Sequence, residues 1–107
     1  QSRDFTYVTN VVRANLLACE APGAAGHTIN VSCGARYSLL DLLDQLTGLL
    51  GKQIKCQHTD SRVGDVKHSQ ASIERAGELL GYEPAVSFAD GLALTVEWYK
   101  KHMHQAA

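Results

Sequence analysis

The stretch SLLDLLDQLTGLLG, residues 38–51, places leucine at seven of its fourteen positions: 39, 40, 42, 43, 46, 49 and 50. Ser38 with Asp41 three positions later forms a capping box with a shortened acid, and Gly51 suits the left-handed position that follows a helix end. This spacing predicts a helix that is apolar around most of its circumference, and such a helix has to be buried on a wide front. With 107 residues, 45% of them hydrophobic and 20% charged, the chain is large enough for one core and near the small end of what folds alone, so a single domain over residues 1–107 is expected.

Other elements alternate around that helix. Phe5-Thr6-Tyr7-Val8 has high strand propensity, and Asn10 stands where a following helix wants a side-chain cap. That helix, ended by Pro22-Gly23, carries Val11, Val12, Asn15, Leu16 and Cys19 near one face. Residues 27–32, with Ile29 and Val31 on one side, and residues 53–58, with Ile54 and Cys56 on one side, alternate as strands do. Residues 59–69 are polar, lack helical periodicity and read as a long loop. A short helix capped by Ser72 and stopped by Gly81 follows. Ser87 and Asp90 then open a last helix whose apolar face is Leu92, Val96 and Tyr99, with Phe88 and Trp98 nearby. The order predicted is β-α-β-α-β-loop-α-α, a mixed α/β domain.

The formal net charge of −1 and the lack of any Lys/Arg block argue against a nucleic-acid or membrane-surface role. No run approaches the roughly 20 apolar residues of a membrane span, and no signal peptide is apparent, so a cytoplasmic setting is expected. Cys19, Cys33 and Cys56 are odd in number and irregularly spaced. They read as buried thiols in a reducing compartment rather than a disulfide or zinc framework. His58 near Cys56 lacks a second ligand pair, and His102 and His104 read as solvated surface. No Gly-x-Gly-x-x-Gly cluster, P-loop or hydrolase triad is present. What remains is Arg3-Asp4 before the first strand and Arg62-x-Gly64-Asp65 in the long loop. A guanidinium forks onto phosphate, and a carboxylate accepts from ribose hydroxyls.

Five motifs occur in order: Arg-Asp-Phe-x-Tyr-Val (residues 3–8), Asn-x-x-x-Gly (30–34) before a Ser-capped helix, Arg-x-Gly-Asp (62–65), Leu-Gly-Tyr-x-Pro (80–84) and a final helix carrying Glu-Trp-Tyr (97–99). In this the chain resembles the C-terminal portion of the extended short-chain dehydrogenase/reductases. More specifically, it resembles the NAD-dependent nucleotide-sugar epimerases and dehydratases such as UDP-glucose 4-epimerase. The resemblance covers essentially the whole chain. It implies the part of a Rossmann-type enzyme that lacks the dinucleotide-binding half, a fragment of a larger epimerase or dehydratase.

By the same resemblance, Arg3 contacts the nucleotide diphosphate, and Arg62 and Asp65 contact phosphate and the uridine ribose. The sequence departs from the family pattern at Thr9-Asn10, where an acidic residue is usual, at Ser32-Cys33-Gly34, where Gly-Thr-Gly or Gly-Ser-Gly is usual, and at Ser72, where Asp is usual. The NAD site and the catalytic Tyr-x-x-x-Lys pair of the family would lie in the preceding two-thirds of such an enzyme. Position 11, four after Tyr7, is Val. The expectation is therefore a domain that binds a UDP-sugar weakly, holds no cofactor or metal of its own and cannot turn over alone. The competing reading is a stand-alone interaction or scaffold domain. Because residues 27–32 and the leucine-rich helix lie close to the cofactor domain in the family, the isolated chain is also expected to form a homodimer.

Overall fold

The first ladder in the chain is two residues long. Ser2–Arg3 (β1) pairs antiparallel with Tyr37–Ser38 (β2), Ser2 opposite Ser38 and Arg3 opposite Tyr37. The Leu39 N–H donates to the Gln1 carbonyl beyond it at 3.0 Å. The structure is a computed structural model that describes residues 1–106 apart from 54, 56, 58, 61, 62 and 65–69, and the backbone alone for 104–106. Four helices complete it: Val8–Glu20 (α1), Leu39–Leu50 (α2), Glu74–Leu80 (α3) and Phe88–Ala106 (α4). The result is a mixed α/β fold, as the sequence predicts, with fewer and shorter strands among the described residues.

Two packing centres hold it. In the first, α1 lies on α3, and Ala14, Ala76, Leu80 and Tyr82 are buried with Leu17, Ala18, Ile29, Val31, Ile73 and Leu79 against them. In the second, α2 lies on α4 beside the ladder. Here the Phe88 ring stacks on Tyr37 at 4.3 Å and on Phe5 at 5.4 Å between centroids. Gly91 is the contact point of this centre: a Cβ built there would come 2.7 Å from the Tyr7 Cβ, so only glycine lets α4 approach the segment before α1 this closely.

The helix ends follow local chemistry. Ser38 and Asp41 make both bonds of the capping box, at 3.0 and 2.9 Å. Gly51 and Gly81 close α2 and α3 in the left-handed region, with φ of 64° and 68°. The Ser87 hydroxyl accepts from the Asp90 N–H at the start of α4, whereas Ser72 is not the cap of α3: Ile73 holds that position without a side-chain bond, and the Ser72 hydroxyl accepts from the Glu74 N–H from one residue earlier.

Several expectations need correction. Residues 5–8 are not a strand: α1 already begins at Val8, and the ladder lies earlier. Their strand-like composition reflects half-burial of Phe5 and Tyr7 against α4 and not a backbone partner. Asn10 is not a cap. Tyr7 holds that position without a side-chain bond, and Asn10 is buried inside the helix. Residues 27–32 form no ladder among the described residues, although Ile29 and Val31 do pack on the core as their alternation predicts. The strand expected at 53–58 falls partly on Ile54, Cys56 and His58, outside the described residues, and its described positions are not strand.

The largest corrections concern burial. No residue of α2 is buried, and Leu40 is 56% exposed. The face of α1 that carries Val11, Val12, Asn15, Leu16 and Cys19 is exposed, and the helix turns Asn10, Ala14, Leu17 and Ala18 inward instead. On α4, Phe88 and Val96 are buried and Leu92 is half-buried, but Trp98 and Tyr99 face out. Cys19 is exposed and Cys33 half-buried, so neither is a fully buried thiol, and Cys56 lies outside the described residues. His102 is exposed and stacks on Trp98 at 4.1 Å.

Candidate functional site

Arg3 is the one expected substrate contact that the structure places. It sits half-buried on β1, where its Nη1 donates to the Ser2 carbonyl at 2.7 Å. Arg62 and Asp65 lie outside the described residues. Between them, Val63 is fully exposed in a turn and Gly64 takes a φ of 84°.

Around Arg3 the structure gathers a hydrogen-bonded turn. The carboxylate of Asp4 accepts the backbone N–H of Cys33 at 3.1 Å and that of Gly34 at 2.8 Å, one on each oxygen. Such charge-assisted bonds to backbone N–H are among the stronger ones a protein makes. Gly34 has a φ of 76°, a conformation that favours glycine, and a Cβ there would also crowd Ile73 Cδ1 at 3.0 Å. Its carbonyl accepts from Gln70 Nε2 at 3.1 Å. One residue earlier, the Ser32 carbonyl accepts the Tyr82 hydroxyl at 2.9 Å. Burial pushes the Tyr82 hydroxyl's pKa above its ordinary value, and the nearby Cys33 and Asp4 add to this against an opposing effect of Arg13.

Asn10 fastens the same turn from behind. Its Oδ1 accepts the N–H groups of Ala85 and Val86 at 3.0 and 3.1 Å, its Nδ2 donates to the Val86 carbonyl at 2.9 Å, and the same Nδ2 is 3.6 Å from the Cys33 sulfur. Sequence reasoning missed the roles of Asp4, Asn10, Gln70 and Tyr82. The only local signal was the Arg3-Asp4 pair itself, because the partners of these side chains lie far along the chain.

An apolar cleft of about 220 Å³ opens between the residues before α1, α2 and α4, lined by Phe5, Tyr7, Leu42, Phe88, Leu92 and Thr95. Among the described residues no group of three potential ligands could hold a metal ion, and no helix is long and apolar enough to cross a membrane. The chain's nine glycines include no Gly-x-Gly pair, and Gly51 and Gly81 in the left-handed region close α2 and α3.

No family model matches the chain. It is similar to the UDP-glucuronate 4-epimerase of Thermodesulfobacterium geofontis, at 33% identity over 96% of this chain and 32% of that protein. It is also similar to the UDP-glucose 4-epimerase of Mycolicibacterium smegmatis, at 33% identity over 92% and 31%. Among solved structures, the UDP-glucuronic acid 4-epimerase of Bacillus cereus in complex with UDP-glucuronic acid and NAD matches with a TM-score of 0.88 at 33% identity, over 94% of this chain and 32% of that one. The UDP-glucose 4-epimerase of Thermotoga maritima with UDP-glucose matches with a TM-score of 0.88 at 37% identity, over 95% and 32%. The chain belongs with the nucleotide-sugar epimerases and dehydratases of the extended short-chain dehydrogenase/reductase family. It spans about a third of the length of the relatives it matches. This is the family to which the five sequence motifs point, and the Asp4 clamp joins two of them, the Arg-Asp-Phe stretch and the Asn-x-x-x-Gly turn.

Proposed function

We propose that this chain is the nucleotide-sugar-binding part of an NAD-dependent epimerase or dehydratase, with Arg3 and Arg62 on the diphosphate and Asp65 on the uridine ribose. The observation that carries the reading is the match over nearly the whole chain to an epimerase described in complex with UDP-glucuronic acid and NAD. Arginine suits this task because its planar fork meets two phosphate oxygens at once, and a carboxylate suits ribose because it accepts from both hydroxyls.

The chain is not catalytically competent by itself in this proposal. Its four tyrosines at 7, 37, 82 and 99 are followed four positions on by Val11, Asp41, Val86 and Met103, so none forms a Tyr-x-x-x-Lys pair. Binding energy without a hydride acceptor and a general base does not lower the chemical barrier. The exposed apolar faces of α1 and α2 support a role joined to further polypeptide, since apolar patches of this kind are normally covered. For the chain alone the proposal is a homodimer through residues 27–32 and α2. The same exposed faces favour the second reading, an interaction domain without nucleotide-sugar chemistry.

Titration of the 107-residue chain with UDP or UDP-glucose, followed by amide chemical shifts, separates the two. The expected dissociation constant lies between roughly 0.1 and 10 mM, because few contacts form and each is screened by solvent. Shifts should cluster at residues 3, 62 and 65 and vanish in Arg62→Ala. No shift with tens of millimolar UDP leaves the interaction domain. Sedimentation giving the monomer mass at high concentration removes the homodimer.

A further inference from the structure

We propose that Asp4 is a positioning residue for Arg3: by closing the loop of residues 33–38 onto the end of β1, its carboxylate sets the direction from which the Arg3 guanidinium meets a nucleotide diphosphate. This rests on the nucleotide-sugar reading of Arg3 given above.

The ladder that carries Arg3 is too short to orient it. It consists of two residue pairs, Ser2 with Ser38 and Arg3 with Tyr37, and even a complete two-stranded hairpin is only marginally stable by itself. Arg3 is the last residue of β1, so its backbone direction depends on what holds the residue after it. Asp4 is held twice, one carboxylate oxygen accepting the Cys33 N–H at 3.1 Å and the other the Gly34 N–H at 2.8 Å. At the far end of the ladder the Leu39 N–H donates to the Gln1 carbonyl. The stretch from Cys33 to Leu39 is thus tied to residues 1–4 at both ends, with Arg3 between the ties.

The tied loop has a firm footing. Tyr37, opposite Arg3, stacks on Phe88 of α4, and so does Phe5, which directly follows Asp4. The Ser32 carbonyl before the loop accepts the buried Tyr82 hydroxyl. Arg3 itself starts from a defined place along β1, with Nη1 on the Ser2 carbonyl at 2.7 Å. A guanidinium fork meets two phosphate oxygens only within a narrow range of directions, and a direction set before the ligand arrives avoids the free-energy cost of ordering it on binding. An ionised carboxylate is an acceptor only and has no attraction of its own for phosphate. Any gain that Asp4 gives to diphosphate binding therefore passes through Arg3.

The test titrates UDP into four proteins: the unsubstituted chain, Asp4→Asn, Arg3→Ala and the double variant. Asp4→Asn keeps the shape of the side chain but loses its charge and one of its two acceptors. It should bind UDP about three- to ten-fold more weakly, the range expected for one hydrogen bond of moderate strength. In the Arg3→Ala background the same change should cost less than about two-fold, because residues that act as one unit are not additive. The second readout is the Arg3 side-chain Nε–Hε signal, which should move on UDP binding in the unsubstituted chain and markedly less, at equal saturation, in Asp4→Asn. Asp4→Glu, which shifts both acceptors outward by one methylene, should behave alike and replaces Asp4→Asn if that variant does not fold. An equal cost in both backgrounds, or an Arg3 signal that moves equally in both proteins, makes Asp4 a structural residue only and overturns the proposal, as does unchanged UDP affinity. If UDP fails to bind the unsubstituted chain, or binds Arg3→Ala equally well, the nucleotide-sugar reading of Arg3 falls and this inference with it. Binding that Arg3→Ala weakens and Asp4→Asn leaves unchanged removes this inference alone.

Discussion

Helix α1 buries Asn10 and Ala14 against α3 and the segment around Val86, whereas α2, with seven leucines in twelve residues, buries none. The difference lies in what each helix packs against. On the α1–α3 side Ala14 from one helix and Ala76 and Leu80 from the other are buried together, with Leu17, Ala18 and Leu79 packed against them. Small side chains let two helices come together until little solvent reaches the seam, and polar groups inside it must then pair fully. On the α2–α4 side, long side chains cover one another only from the direction of α4, and the far face of α2 is left open. Hydrophobicity supplies the drive to bury a surface, but a partner of the right shape decides whether burial happens.

The comparison can be broken by substitutions on each side. Asn10→Ala should have the largest effect, because it leaves the N–H groups of Ala85 and Val86 and the Val86 carbonyl without their partner. At about 1 kcal/mol or more for each orphaned group, the loss should reach about 3 to 5 kcal/mol. That is a large share of what a domain of this size possesses, and urea unfolding measures it. A loss under 1 kcal/mol would mean that the α1 seam is wet and that the two sides do not differ as described.

Gly91→Ala comes next and probes a tight point on the other side. The new Cβ has no room beside Tyr7, and overpacking of this kind costs about 1 to 3 kcal/mol. A neutral result would show that α4 can move away from the chain before α1 without loss.

Tyr82→Phe removes the donor to the Ser32 carbonyl and should cost about 1 to 2 kcal/mol. It also carries a pH signature. Because burial raises the Tyr82 pKa in the fold, the unfolded chain ionises first as pH rises, so the fold's advantage is complete below an unfolded value near 10.0 and is lost above it. The unsubstituted protein should therefore lose more stability between about pH 9 and pH 11 than Tyr82→Phe does. Parallel pH profiles for the two proteins would contradict the buried phenol.

Leu40→Gln should be the smallest, within about 0.5 kcal/mol, since the side chain it replaces stands largely in solvent. Its visible effect should be weaker self-association by sedimentation. A cost comparable to that of Gly91→Ala would mean that the α2 face is covered in solution and would erase the contrast with α1.

Much of the secondary structure and little of the site were legible in the sequence. The Ser38 and Asp41 box, the glycines at 51 and 81 and the Ser87 cap were all readable, because each acts within four residues of itself. Asn10 was misread for the complementary reason. As a cap it would have served its own helix, but its real partners are 75 and 76 residues away, and no local pattern announces them. Asp4 belongs to the same class, since its acceptor role is set by a turn thirty residues on. Arg3 was legible only through the motif it opens.

By itself the sequence determined both ends of α2, the end of α3, the start of α4 and the family the chain belongs with, because capping boxes, left-handed glycines and motif order are properties of short stretches. Tertiary structure alone decided which side of each helix is inside. Helix α1 has two faces that a core could accept, one of Val11, Val12, Leu16 and Cys19 and one of Ala14, Leu17 and Ala18. By apolar bulk the first is the better. The second won because it meets the side of α3 that carries Ala76 and Leu80, and because Asn10 at its edge finds in the Ala85–Val86 backbone the polar partners that a buried amide requires.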